Sequence, residues 1–116
     1  MEKFLNYLKD NKFVVPYCTR CNAPAWPPVD CCYTCMSKVK LRRAKSLEGH
    51  LIEYTVSYLL SKPQIFGIIE IGGVKLIGSV QSSVAPFVGM FLTMKNCGIS
   101  NDGTPYYEFI DGRNFC

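Results

Sequence analysis

The chain has a single histidine, His50, among 116 residues, and that scarcity removes a large class of chemistry. No metal site built on several imidazoles is available. No Ser-His-Asp or Cys-His-Asn set assembles with support from the surrounding sequence. A lone histidine at the start of a strand reads as a surface or structural residue before it reads as a base. No apolar run approaches the ~18 residues that a membrane-spanning helix needs. The opening Met-Glu-Lys-Phe-Leu-Asn-Tyr-Leu-Lys-Asp carries charge through its first turns and lacks an apolar signal core. A cytoplasmic protein is therefore expected. Low-complexity tracts are missing too, and 48% hydrophobic against 19% charged residues is a globular balance that predicts a packed core. The length allows one compact domain, or a small domain with a metal-stapled appendage.

Cysteine, by contrast, is abundant. Seven cysteines are an odd number, and a reducing compartment disfavours a disulfide framework, so metal binding is the natural reading. Cys18-Thr-Arg-Cys21 and Cys32-Tyr-Thr-Cys35 form two Cys-x-x-Cys pairs separated by ten residues. Two such knuckles supply four thiolates to one tetrahedral ion, and zinc suits that donor set best, ahead of iron. A redox dithiol would be expected to open a helix after a strand, and no helical pattern follows either pair. Cys31 could stand in for Cys32, although the tight two-residue spacer favours Cys32. Trp26-Pro27-Pro28 lies between the knuckles at a turn, where Trp26 is placed to cover one side of the metal. Cys97 is expected on the core side of the remaining chain and Cys116 at a frayed terminus.

Charge divides the chain near residue 46. Through Ser46 there are nine Lys or Arg against three Asp or Glu, and from Leu47 four against six. Lys38, Lys40, Arg42, Arg43 and Lys45 cluster directly after the second knuckle. This segment reads either as a solvated linker or as a cradle for an anionic partner: the phosphates of a nucleotide-bearing cofactor, a nucleic acid, or an acidic protein surface.

The first ten residues predict a short helix with Phe4, Leu5 and Leu8 on one stripe, which has either its own core or a partner chain to lie on. Asn11 and the β-branched Val14-Val15 end it. From Leu47 the period becomes two. Ile52, Tyr54, Val56, Tyr58 and Leu60 alternate with Glu53, Thr55, Ser57 and Leu59, predicting a long strand that buries the first set. Further strands are expected over 64–71, 74–81, 90–95 and 106–110, joined by a Gly72-Gly73 hairpin, a loop over 82–89 and turn residues Asn101-Asp102-Gly103-Thr104-Pro105. The fold class expected is mainly β: a short N-terminal helix (1–12), a rubredoxin-like zinc ribbon with a basic linker (13–46) and a five-stranded OB-type Greek-key barrel (47–116).

The order of these motifs resembles a known family. Tyr17-Cys18-Thr19-Arg20-Cys21, Trp26-Pro27-Pro28, the stretch Gly49-His50-Leu51-Ile52-Glu53-Tyr54-Thr55-Val56, then Phe66-Gly67-Ile68-Ile69-Glu70-Ile71 and Val88-Gly89-Met90 look like the OB-fold acyl-CoA-associated proteins with an N-terminal zinc ribbon. Two positions depart from the pattern. Asn22 stands where a Gly is usual, and Asn also reaches left-handed backbone. Val29 stands where an Arg often follows the two prolines, which weakens the resemblance's claim to one particular phosphate contact. The resemblance implies a non-catalytic companion of thiolase-superfamily enzymes: acetoacetyl-CoA thiolase and hydroxymethylglutaryl-CoA synthase of the archaeal mevalonate pathway, or related bacterial acyltransferases and aldolases. Such a companion acts as a scaffold that bridges subunits and helps enclose the acyl-CoA. The competing class is a single-stranded nucleic-acid binder using Tyr54, Tyr58, Phe66, Tyr106 and Tyr107 as a stacking platform. Against it stand the acidic balance of the barrel half and the expectation that most of those rings face the core.

Overall fold

In the computed structural model, the described residues are 2–44, 46–59 and 62–111. Lys45, Leu60 and Cys116, each singled out above, lie outside them. The chain divides into two compact units, Met1–Lys45 with Gly98–Pro105, and Ser46–Cys97 with Tyr106–Cys116.

In the first unit, α1 (Glu2–Lys9) carries Glu2 in its first turn and Lys9 in its last, matching the helix dipole at both ends. Asn11 then turns left-handed at φ 61°, a conformation Asn tolerates, and stops the helix. Three antiparallel strands follow in the order β2-β1-β3: β1 (Val14–Cys18), β2 (Ala23–Pro24) and β3 (Lys40–Arg43). The helix stripe is buried within this chain, with Phe4 3% and Leu8 0% exposed. Phe4 and Phe13 both meet the Trp26 indole edge-on, at ring-centroid distances of 5.8 and 6.3 Å. Of the two settings left open for the stripe, its own core is the one found. The stripe has its own floor and does not wait for a partner. Trp26 packs with Phe4 and Phe13 in this aromatic cluster.

Five further strands are β4 (Glu48–Ser57), β5 (Gln64–Ile71), β6 (Val74–Gln81), β7 (Phe91–Ile99) and β8 (Pro105–Asp111), which make up the second unit apart from the β7–β8 turn and its flanks, Gly98–Pro105, assigned to the first. They close into a barrel in the order β4-β5-β6-β8-β7. β4 pairs antiparallel with β5 and with β7, β5 pairs antiparallel with β6, and β6 and β8 run parallel. This is the five-stranded Greek-key barrel of the OB type that the strand pattern predicts, and closure leaves no apolar edge to pair with another chain. Gly72 and Gly73 both have positive φ, 57° and 84°, as a two-residue type I′ hairpin requires. At the far turn, the Asp102 carboxylate accepts from the Ser100 hydroxyl and from the Thr104 N–H, and these donors hold its pKa below the usual carboxylate value. The interior is filled by Leu51, Ile69, Leu76, Leu92 and Phe109, all nearly or wholly buried. Gly49 is needed where β4 meets β5, because a Cβ there would run into the Glu70 carbonyl.

β4 is the element whose sequence pattern misleads. Its register with β5 slips between Leu51 and Glu53, so Ile52 forms a bulge. A bulge inserts one residue and reverses the in–out phase beyond it. Gly49 and Leu51 are the buried positions, and beyond the slip Tyr54 comes to their side of the strand by pairing with the buried Gly67, yet it is exposed. The strand ends at Ser57, leaving Tyr58 in the loop rather than in the core. Phe66 also faces outward, Tyr106 is half-buried, and only Tyr107 of the five candidate platform rings is buried. The expectation that most of them face the core is therefore corrected. β7 runs on to Ile99, beyond the predicted Lys95.

Candidate metal centre

Each Cys-x-x-Cys pair sits on a tight turn whose backbone geometry the sequence supports. Within the first, the Cys21 N–H donates to the Cys18 sulfur at 3.3 Å, and within the second the Thr34 N–H donates to the Cys32 sulfur at 3.4 Å. The residue after each pair is left-handed, Asn22 at φ 55° and Met36 at φ 63°. Asn takes that conformation readily because its short polar side chain can hydrogen-bond locally; Met does so at a cost, since its Cβ crowds the carbonyl oxygen with no such compensation. The second turn is fixed by two backbone bonds, Met36 N–H to Cys32 O and Cys32 N–H to Ser37 O, both 2.9 Å. The first knuckle is closed by β1 and β2, which pair Tyr17 with Pro24 and Cys18 with Ala23.

These turns bring the sulfurs of Cys18, Cys21, Cys32 and Cys35 within 4.8 Å of one another. Two of the separations are 3.4 Å, Cys18 to Cys35, and 3.8 Å, Cys21 to Cys32. A tetrahedral ion with metal–sulfur bonds of about 2.3 Å requires sulfurs roughly 3.8 Å apart. The donor set therefore fits a four-thiolate metal. Cys18 and Cys32 are buried and Cys21 is open to solvent. Cys31 is exposed, outside the cluster, and bridges through its backbone to Lys38.

Proton affinities within the cluster are uneven. The side chain and backbone of Ser37 bring the Cys35 thiol down to about 6. Backbone N–H groups of Cys35 and Thr34 lower Cys32. Hydrogen bonds to Cys35, Cys18 and Cys32 push Cys21 up to about 12. N–H donors that stabilise sulfur anions are the same donors that favour thiolate ligation. Cys97 is buried in the barrel unit, and burial pushes its thiol up.

The basic segment is divided by strand geometry. β3 pairs with β1 in the register Val15↔Arg42 and Tyr17↔Lys40, so Lys40 and Arg42 share one face and Arg43 falls on the other. The Arg42 guanidinium stacks 3.8 Å above the Tyr17 ring, whose hydroxyl donates to Asn22. Lys38 lines a hollow of about 440 Å³ together with Lys3, Phe4, Asp30, Cys31 and Leu41. The stacking contact of Arg42 and the hollow beside Lys38 carry no sequence signature, since both depend on which strand β3 pairs with. His50 stands on the barrel surface opposite Glu70, its Nε2 4.0 Å from the carboxylate.

No family model and no curated protein match this sequence. Solved structures do match it. The Ltp2–ChsH2(DUF35) aldolase aligns over 95% of this chain and 92% of its own, with a TM-score of 0.74 and 19% identity. A DUF35-family protein of unknown function from Sulfolobus solfataricus aligns over 95% of this chain and 83% of its own, with a TM-score of 0.68 and 20% identity. This chain has their fold. Both alignments cover 95% of this chain and so take in residues of both units.

Proposed function

We propose that this chain is a zinc-stapled, non-catalytic member of the DUF35 family that associates with a thiolase-superfamily enzyme and helps enclose its acyl-CoA substrate. The observation that carries the reading is the shared fold with ChsH2(DUF35), which stands beside Ltp2 in an aldolase. The four-thiol cluster supports the zinc, as a structural ion with all four positions filled by protein and none left for substrate. His50 is paired across the sheet with a carboxylate on an exposed surface, a poor setting for a base. The isolated chain is expected to give only background turnover with acetyl-CoA and acetoacetyl-CoA. Purification of the native protein with mass identification of its companions tests the assignment. A thiolase-superfamily subunit in stoichiometric amount is expected, and its absence would overturn the reading.

Lys38, Lys40, Arg42, Arg43 and Lys45 are assigned to the phosphates of CoA or to an acidic partner rim. Arg42→Glu with Arg43→Glu should weaken CoA or partner binding several-fold more at 50 mM salt than at 500 mM, because counterions already screen an exposed charge at the higher concentration. An equal loss at both salts would remove these residues from the electrostatic role.

The exposure of Tyr54, Tyr58 and Phe66 favours a second reading, in which the barrel stacks single-stranded bases. The chain from Leu47 onward carries six acidic against four basic residues, which opposes a polyanion. Salt-dependent binding of an oligothymidylate that is lost in Tyr54→Ala with Phe66→Ala would establish the second reading over the first.

A further inference from the structure

Two loops leave the barrel at one end. β4 finishes at Ser57 opposite Gln64, the first residue of β5, and β6 finishes at Gln81 beside Ile110 near the end of β8. The β4–β5 and β6–β7 connections therefore start from the same rim. The second is tied there by Ser83, whose N–H and hydroxyl donate to the Asp111 carboxylate at 3.3 and 2.8 Å. It is held at its other end by Gly89 N–H to Leu51 O, 2.7 Å. Between these anchors the chain displays large apolar side chains to solvent. Tyr58 and Leu59 are 74% and 93% exposed, and Val84, Phe87 and Val88 lie between 54% and 65%. Residues 82–90 contain no charged side chain, and the described part of the β4–β5 connection has only Lys62.

We infer that the exposed apolar residues Tyr58, Leu59, Val84, Phe87 and Val88 form the surface that docks on the partner enzyme, with Leu59 and Phe87 as its anchors. The inference rests on the accessory-subunit reading above. Three observations select an enzyme subunit with an apolar, uncharged patch as the occupant. A chain of the same fold is found with a second protein in an aldolase. The helix stripe that would otherwise compete for a partner is already buried. The loops themselves offer no charge to attract a nucleic acid or an anionic lipid headgroup, and the chain around them leans acidic. Exposed aromatic and aliphatic side chains on anchored loops are the kind of group that supplies most of an interface's affinity.

The test uses the full chain with the enzyme isolated alongside it. Leu59→Asp with Phe87→Asp should lower affinity at least about 30-fold, the loss of a single interface hot spot, while the thermal midpoint of the chain stays unchanged because both side chains face solvent. Ile77→Asp, which alters an exposed apolar residue on the outer face of β6, should leave affinity unchanged. In the complex, amide exchange at 58–59 and 84–88 should slow by at least tenfold. If the enzyme copurifies but the double variant binds within twofold, or protection falls elsewhere, the inference is overturned and the accessory reading stands. If no enzyme copurifies, that reading fails and the inference fails with it. Self-association of the chain in sedimentation, or binding to phosphatidylcholine vesicles, that the double variant abolishes would replace the enzyme by a second copy or a membrane and so overturn the inference.

Discussion

Removal of one knuckle thiolate, by Cys18→Ser or Cys32→Ser, should abolish stoichiometric zinc and unfold the N-terminal unit. Within that unit, Met1–Lys45 supplies one eight-residue helix and a three-stranded sheet whose longest strand has five residues. Its apolar floor centres on Phe4, Leu8, Phe13 and Val14. So little burial does not offset the entropy of ordering about 40 residues. Metal binding in small zinc modules contributes on the order of 10 kcal/mol, and loss of a ligand forfeits most of it. The readout is built into the chain. Trp26 is the single tryptophan, and it packs against Phe4 and Phe13 of this unit. A chelator or either Ser variant should shift Trp26 emission to the red while the far-UV signal of the barrel strands persists. Cys31→Ser should retain one equivalent of zinc, because the Cys31 thiol stands outside the cluster. Full zinc content in both Cys18→Ser and Cys32→Ser would overturn the ligand assignment, and zinc loss in Cys31→Ser would move a ligand to Cys31.

The second large effect is expected at Leu8. Its side chain is fully buried, so Leu8→Ala leaves a cavity and should cost about 2–5 kcal/mol. Leu8→Asp should cost more, because an unpaired carboxylate would be forced among apolar neighbours. Leu5, half-buried on the same helix, should tolerate Ala with a cost of roughly 1 kcal/mol. Thermal unfolding followed through Trp26 separates the three variants, and equal destabilisation by Leu5→Ala and Leu8→Ala would contradict the buried stripe. This changes how binding data on the helix are to be read. Any loss of partner on Leu8→Asp would follow from unfolding of the unit and would not locate an interface there. The exposed loop residues Leu59 and Phe87 are free of that ambiguity.

By itself the sequence determined whatever short-range chemistry specifies. The two Cys-x-x-Cys spacers place their sulfurs for one ion because a two-residue turn has few geometries, and the structure brings those four sulfurs together. Gly72-Gly73 forces the β5–β6 hairpin, and with it the register that carries β5 and β6 over the spans predicted for them. Asn101 through Pro105 make the last turn as expected, fixed by the Asp102 side chain. The tertiary structure decided the rest. The slip at Ile52 is a property of how β4 meets β5, and an alternating pattern of apolar and polar residues cannot signal a phase change that depends on the neighbouring strand. The same strand runs out at Ser57, which moves Tyr58 from the expected core to the surface. The stripe of α1 says that the helix must bury one side, and only the position of Trp26 and Phe13 says against what. The cations after the second knuckle look like one patch in the sequence, but strand pairing puts Lys40 and Arg42 on one face of β3 and Arg43 on the other, and lays Arg42 on Tyr17. Local geometry is set within a few residues of chain; facing and exposure depend on partners many residues away, and those are chosen only when the whole unit packs.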